Sequence, residues 1–171
     1  MALSIEEANA LSDADFLAHF ADVAEHSPWV AARACALRPF INRDAMLAAF
    51  SSAIAAAPRD MCLALIRAHP DLAGKAALAG RVANESMREQ KGAGLDTLTP
   101  TEFARFTDLN TRYNNRFGFP FIFAVKGATK HQILDAFALR IDNSPEAEFD
   151  MALAQIARIF RFRIEDRVLP G

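Results

Sequence analysis

Apolar residues return every three or four positions along most of the chain, the period of a helix with one buried face. Ser12 caps a segment from Asp13 to about Val23, with Phe16, Leu17, Phe20 and Val23 on one stripe. Ser27-Pro28 predicts a second start, since proline suits the first helical position, and that helix runs to about Leu37. Asn42 precedes a third helix over 43–57, and Pro58 separates it from a fourth. His69-Pro70 ends the fourth, because the residue before proline is pushed out of the α region. The stretch from His69 to Leu95 reads as two short helices with polar breaks, closed by Gly92 and Gly94. Thr99-Pro100-Thr101-Glu102 opens a long helix whose stripe is Phe103, Phe106, Leu109 (or Asn110) and Tyr113, and Gly118 stops it. The following FGFPFIFAVKG has strand character, but its internal Pro120 argues against a central strand and predicts an extended loop lining a cavity. Thr129 opens another helix, and Ser144-Pro145-Glu146 begins the last, which continues to about Val168.

Composition points the same way. Alanine supplies 35 of 171 residues, against 15 for valine and isoleucine together, a balance that favours helix over strand. The expectation is an all-α, bundle-like fold of about seven to nine helices in a single domain over 1–171, with one extended aromatic loop. A net charge of -2 leaves no basic footprint for nucleic acid. No uncharged apolar run is long enough for a membrane span, and the acidic opening has no signal core. Two cysteines without CxxC spacing do not make a disulfide framework. The expected setting is a reduced cytoplasm.

Three features depart from a plain helical scaffold. On a wheel of 100° per residue centred on Ile156, the last helix buries Phe149, Leu153 and Phe160, while Arg158, Arg161 and Glu165 face solvent. Arg163 lies at about -20° on that wheel, in line with the apolar stripe. An inward guanidinium requires a carboxylate or an anionic ligand, so a structural ion pair and a functional site both fit. A second feature is the face formed by Ser86, Glu89 and Gln90, spaced i, i+3, i+4. It is either a solvated face or a set of partners for a ligand rich in N–H and C=O groups. The third is His69 at a helix C-terminus, where the macrodipole favours imidazolium. It reads as a cap or as a general acid–base group. His19, His26 and His131 have no metal-ligand spacing.

Taken in order, HPDLAGK, ESMREQKGAGL, FTDLNTRYNNRFGFPFIFAVKG and IFRFRIEDRV, preceded by FADVAEHSPWVAARA, resemble one family. It is the 2-oxo-4-hydroxy-4-carboxy-5-ureidoimidazoline (OHCU) decarboxylases, and the likeness runs from about Phe16 to Val168. The resemblance implies an all-α homodimer without a cofactor, which takes the ureidoimidazoline to (S)-allantoin in the last step of urate breakdown. It also implies catalytic roles for His69, Glu89 and Arg163. Pro70, Ser86, Gln90, Phe119, Phe121 and Ile122 would then contact the substrate, the loop residues through backbone groups. Imidazole, acidic helix face and inward guanidinium are expected around one small cavity. A different ureide-acting enzyme would need the same pocket, whereas a non-catalytic interaction domain would need none of these groups.

Overall fold

The structure is a computed structural model that describes residues 1–74 and 84–171. Among them nine α-helices form and no strand beyond one isolated bridge, so the chain is all-α as its alanine content predicts. The helices are α1 (Ile5–Ala10), α2 (Asp13–Phe20), α3 (Trp29–Cys35), α4 (Arg43–Ala55), α5 (Arg59–Ala68), α6 (Asn84–Gly92), α7 (Pro100–Phe117), α8 (Lys130–Arg140) and α9 (Pro145–Glu165). The first of the two short helices expected after His69 lies outside the described residues; α6 is the second.

Side-chain caps fix most of the starts. Ser12, Asn42, Thr99 and Thr129 each accept a hydrogen bond from a backbone N–H of the first turn, satisfying donors that the helix leaves open. At α7 the box is reciprocal, with Glu102 N–H bonded to Thr99 and the Glu102 carboxylate bonded to Thr99 N–H. Gly118 ends α7 at φ 73°, a left-handed position that suits glycine. The helix expected from Asp13 to Val23 closes early, turning into a 3-10 segment at Ala21–Val23. The α1 helix was not anticipated. Its capping box, Ser4 with Glu7, has the required spacing, but the early acids had counted only against a signal core.

The chain divides into two compact units, Met1–Ala68 with Ile156–Gly171, and His69–Gln155. In the first, α3 packs on α4 and on α2, with alanines such as Ala31 and Ala34 fully buried so that backbones approach closely. Phe16 and Phe20 pair at 4.8 Å, and Phe50 meets the edge of Phe160 at 6.2 Å. The chain ends are pinned together: Leu3 N–H bonds to Arg167 C=O at 2.8 Å, and Leu169 N–H to Leu3 C=O at 2.8 Å.

The second unit has an aromatic core around Tyr113. Phe121 stacks on Phe137 at 3.9 Å, and Tyr113 meets Phe119, Phe121 and Phe137 edge-on. Beneath these rings lies a buried polar network that the apolar patterning did not reveal. Arg140 Nε donates to Glu148 at 2.9 Å, Tyr113 O–H donates to the same carboxylate at 2.6 Å, and Asn143 Nδ2 donates to it at 3.0 Å. Glu148 is fully buried, so its charge depends on these donors. No single helix among the described residues is long and apolar enough to cross a membrane.

Candidate active site

His69 follows the last residue of α5 and is buried. The chain then makes a tight turn, His69–Gly74, inside the second unit. Ala73 takes φ 53°, a left-handed conformation that costs an alanine roughly 1–2 kcal/mol. Gly74 allows the turn to close, because a Cβ there would lie 2.9 Å from Asp71 Cβ.

Three amide side chains hold this turn. Gln90 Oε1 accepts from Ala73 N–H at 2.9 Å, and Asn110 Nδ2 donates to Leu72 C=O at 2.8 Å. Asn114 Nδ2 donates to Asp71 Oδ1 at 3.0 Å. The strained backbone after His69 is therefore fixed from α6 on one side and from α7 on the other. Such over-determination is what lets a strained turn persist. Asn110 and Asn114 were missed as site residues. Asn110 falls four residues after Phe106 and three before Tyr113, on the stripe itself, and a polar residue there was the available signal.

Ser86, Glu89 and Gln90 share one face of α6, as their spacing requires. Ser86 and Gln90 are buried and Glu89 is half-buried, so this is not a solvated face. Gln90 Nε2 is buried with no hydrogen-bond partner among the described residues, a donor left over after Oε1 has taken Ala73. Among the described residues two cavities adjoin the turn, and Ala73 lines both. One of about 440 Å³ is lined by Asp71, Gly74, Phe103, Asn110 and Asn114, among others. The other, about 260 Å³, is lined by Met87, Gln90, Leu95 and their neighbours. These volumes lie near the range of small-molecule sites.

The FGFPFIFAVKG segment runs as the extended loop that Pro120 predicts, without strand pairing. Phe119, Phe121 and Ile122 are all buried. The loop backbone is held by side chains: Arg140 Nη1 donates to Ile122 C=O at 2.7 Å, and Ala124 N–H donates to Gln155 Oε1 at 3.0 Å.

Arg163 belongs to the first unit and is 2 % exposed, whereas Arg158 and Arg161 are exposed, as the wheel predicts. Its Nη2 donates to Glu25 Oε1 at 3.0 Å, and Nη1 donates to Val23 C=O at 3.2 Å. The inward guanidinium thus has a buried carboxylate. Arg161 instead pairs along the surface with Glu165 at 3.2 Å.

A family profile described as OHCU decarboxylase matches residues 9–165 of this chain. The chain belongs to the OHCU decarboxylase family. The 2-oxo-4-hydroxy-4-carboxy-5-ureidoimidazoline decarboxylase of Haloferax volcanii is 38% identical over 165 residues, which cover 96% of each chain. Among solved structures, (S)-allantoin synthase superposes with a TM-score of 0.76 at 29% identity. That match covers 97% of this chain and 54% of the other, so this member spans about half the length of that protein. An OHCU decarboxylase solved in the presence of (S)-allantoin matches at TM-score 0.70 and 18% identity, covers 91% of this chain and 97% of that one, and has the same fold. The motif sets quoted above all fall inside the matched span or overlap it.

Proposed function

We propose that this protein decarboxylates 2-oxo-4-hydroxy-4-carboxy-5-ureidoimidazoline to (S)-allantoin, without a cofactor, as a homodimer in the cytoplasm. Membership of the family frames this reading. The observation that carries it is the bond between Gln90 and Ala73, which ties the Ser86–Glu89–Gln90 face to the turn beginning at His69. A polar, half-open helix face coupled to a histidine is a poor investment for a scaffold and a sound one for a site.

The substrate supplies its own electron sink. When the bond to the carboxylate breaks, the electron pair enters the adjacent C=N, carbon dioxide leaves, and the ring nitrogen takes up a proton from solvent. The resulting enol returns to a carbonyl by losing its hydroxyl proton, while a proton adds at the ureido-bearing carbon. The protein's tasks are orientation, stabilisation of developing charge and delivery of that proton to one face. His69 is assigned the proton transfer, at the hydroxyl or at the carbon. Glu89 accepts from ureido or ring N–H groups, and Ser86 with Gln90 Nε2 meets the remaining polar atoms of the ureido arm, beside Pro70. Phe119 and Phe121 keep water out, with Ile122 offering backbone groups. Arg163 is assigned to the negative charge that accumulates as carbon dioxide departs. A tight grip on the leaving carboxylate would bind ground and transition states alike and add nothing to the chemical step.

The test uses freshly generated substrate and circular dichroism of the product. Wild-type protein should give optically active allantoin, and His69→Ala should give only the slow racemic background. Full activity in His69→Ala removes the proton-transfer assignment; absence of turnover by the wild type, with turnover of allantoin or allantoate instead, removes the reaction.

A further inference from the structure

Arg140 performs three tasks at once. Its Nε faces Glu148 at 2.9 Å, its Nη1 donates to Ile122 C=O at 2.7 Å, and its guanidinium carbon lies over the Phe121 ring, 4.3 Å from its centre. All of this occurs inside the second unit, with Arg140 and Glu148 both buried. A buried ion pair is weak evidence of added stability, since apolar residues of similar volume often serve as well. Here the pair holds one end of a guanidinium whose other end reaches the aromatic loop.

We propose that Arg140, locked by a Glu148 carboxylate that Tyr113 and Asn143 also hold, is a positioning residue that sets the Ile122 peptide plane and thereby the surface the aromatic loop offers to substrate. A peptide unit is planar, so fixing the Ile122 carbonyl also fixes the Phe123 N–H, which points the opposite way. Gln155, by accepting from Ala124 N–H, holds the next peptide. Between them the two side chains leave the loop one orientation without recourse to strand pairing. The guanidinium is suited to this because its planar fork can donate in two directions while stacking on a ring. A lysine ammonium at the same place has no planar fork with which to reach Glu148 and Ile122 together. The inference rests on the proposed decarboxylation for its consequence, because the loop matters only if substrate meets it.

The experiment compares the full chain with Arg140→Lys, Glu148→Gln and Tyr113→Phe, with Arg112→Ala as an exposed control in the same unit. Steady-state kinetics are run well below each variant's melting temperature, and enantiomeric excess of the allantoin and the backbone amide resonances of Ile122 and Phe123 are recorded. Arg140→Lys and Glu148→Gln should lower kcat/KM at least tenfold, reduce enantiomeric excess and shift the Phe123 amide, while Arg112→Ala changes none of these. Folded variants with kcat/KM and enantiomeric excess within twofold of wild type overturn the proposal, as does an unmoved Phe123 amide. Should Arg140→Lys and Glu148→Gln not fold, Tyr113→Phe decides. It removes one bond to Glu148 and should lower kcat/KM about threefold, with the same amide shifting in the same direction; no change overturns the proposal. A wild type that does not decarboxylate refutes the function and this role in it, and the amide shifts then report separately whether Arg140 orients the loop.

Discussion

Glu25 accepts a hydrogen bond from Arg163 at 3.0 Å, and each side chain is 2 % exposed. The two residues are 138 positions apart in sequence, joining the segment after α2 to the last turn of α9. Removing one member of a buried pair leaves the other charge in a medium that solvates it poorly, which costs about 3–5 kcal/mol.

Glu25→Ala is therefore expected to lower unfolding free energy in urea by about 3–5 kcal/mol, with Arg161→Ala within about 0.5 kcal/mol of wild type. The double substitution Glu25→Leu with Arg163→Met should recover most of the lost stability. If Arg163 meets developing charge, that double variant folds but stays inactive. Recovery of activity with stability would reduce Arg163 to a packing role.

Tyr113 is the only tyrosine, which makes it a spectroscopic reporter of the aromatic core. Burial first, and then its hydrogen bond to the Glu148 carboxylate, pushes its phenol well above the ordinary value of 10.0. The native state thus keeps a proton that the unfolded chain releases above about pH 10. Stability is unaffected below that pH and falls as pH rises beyond it, by about 1.4 kcal/mol per pH unit for one proton. Ultraviolet titration should show no phenolate in the folded protein above pH 10 until unfolding releases it in one cooperative step. Smooth titration near pH 10 in the folded protein would contradict the buried Tyr113–Glu148 bond.

Asn110→Ala withdraws the donor from Leu72 C=O in a turn that already holds a left-handed alanine. The expected cost is about 1–3 kcal/mol of stability, measured by denaturant midpoint. Because the turn carries His69, kcat should fall more than substrate binding does. Arg112→Ala, on the exposed side of α7, should leave both unchanged. Equal behaviour of the two variants would show that the clamp does not govern the histidine.

Much of this architecture is legible in local letters. The Thr99-Pro100-Thr101-Glu102 start and Gly118 stop of α7 follow from capping chemistry that acts over one turn. The inward direction of Arg163 follows from periodicity, and its burial confirms the wheel. Its carboxylate does not follow, because pairing across 138 residues depends on how helices pack and not on any local preference. The Arg140–Glu148 pair escaped for a related reason. Arg140 stands three residues after Phe137 and seven after Ile133, so the buried face was readable, but a charge at a helix end reads first as a cap. Among candidate site residues, the Ser86–Gln90 spacing was visible, while the role of Gln90 Oε1 in bracing Ala73 required coordinates.

The pinned ends of the chain have an entropic consequence. Leu3 pairs with Val168, Glu25 with Arg163 and Phe50 with Phe160, so the first unit is sewn from residues 1–68 and 156–171. Residues 1–68 are completed by a strip at 156–171 that lies far along the sequence, whereas residues 69–155 are contiguous. The loops closed there, such as the 43 residues between Asp71 and Asn114, are shorter than the 138 between Glu25 and Arg163. The Phe50–Phe160 and Glu25–Arg163 contacts therefore cost more loop-closure entropy than those made within residues 69–155.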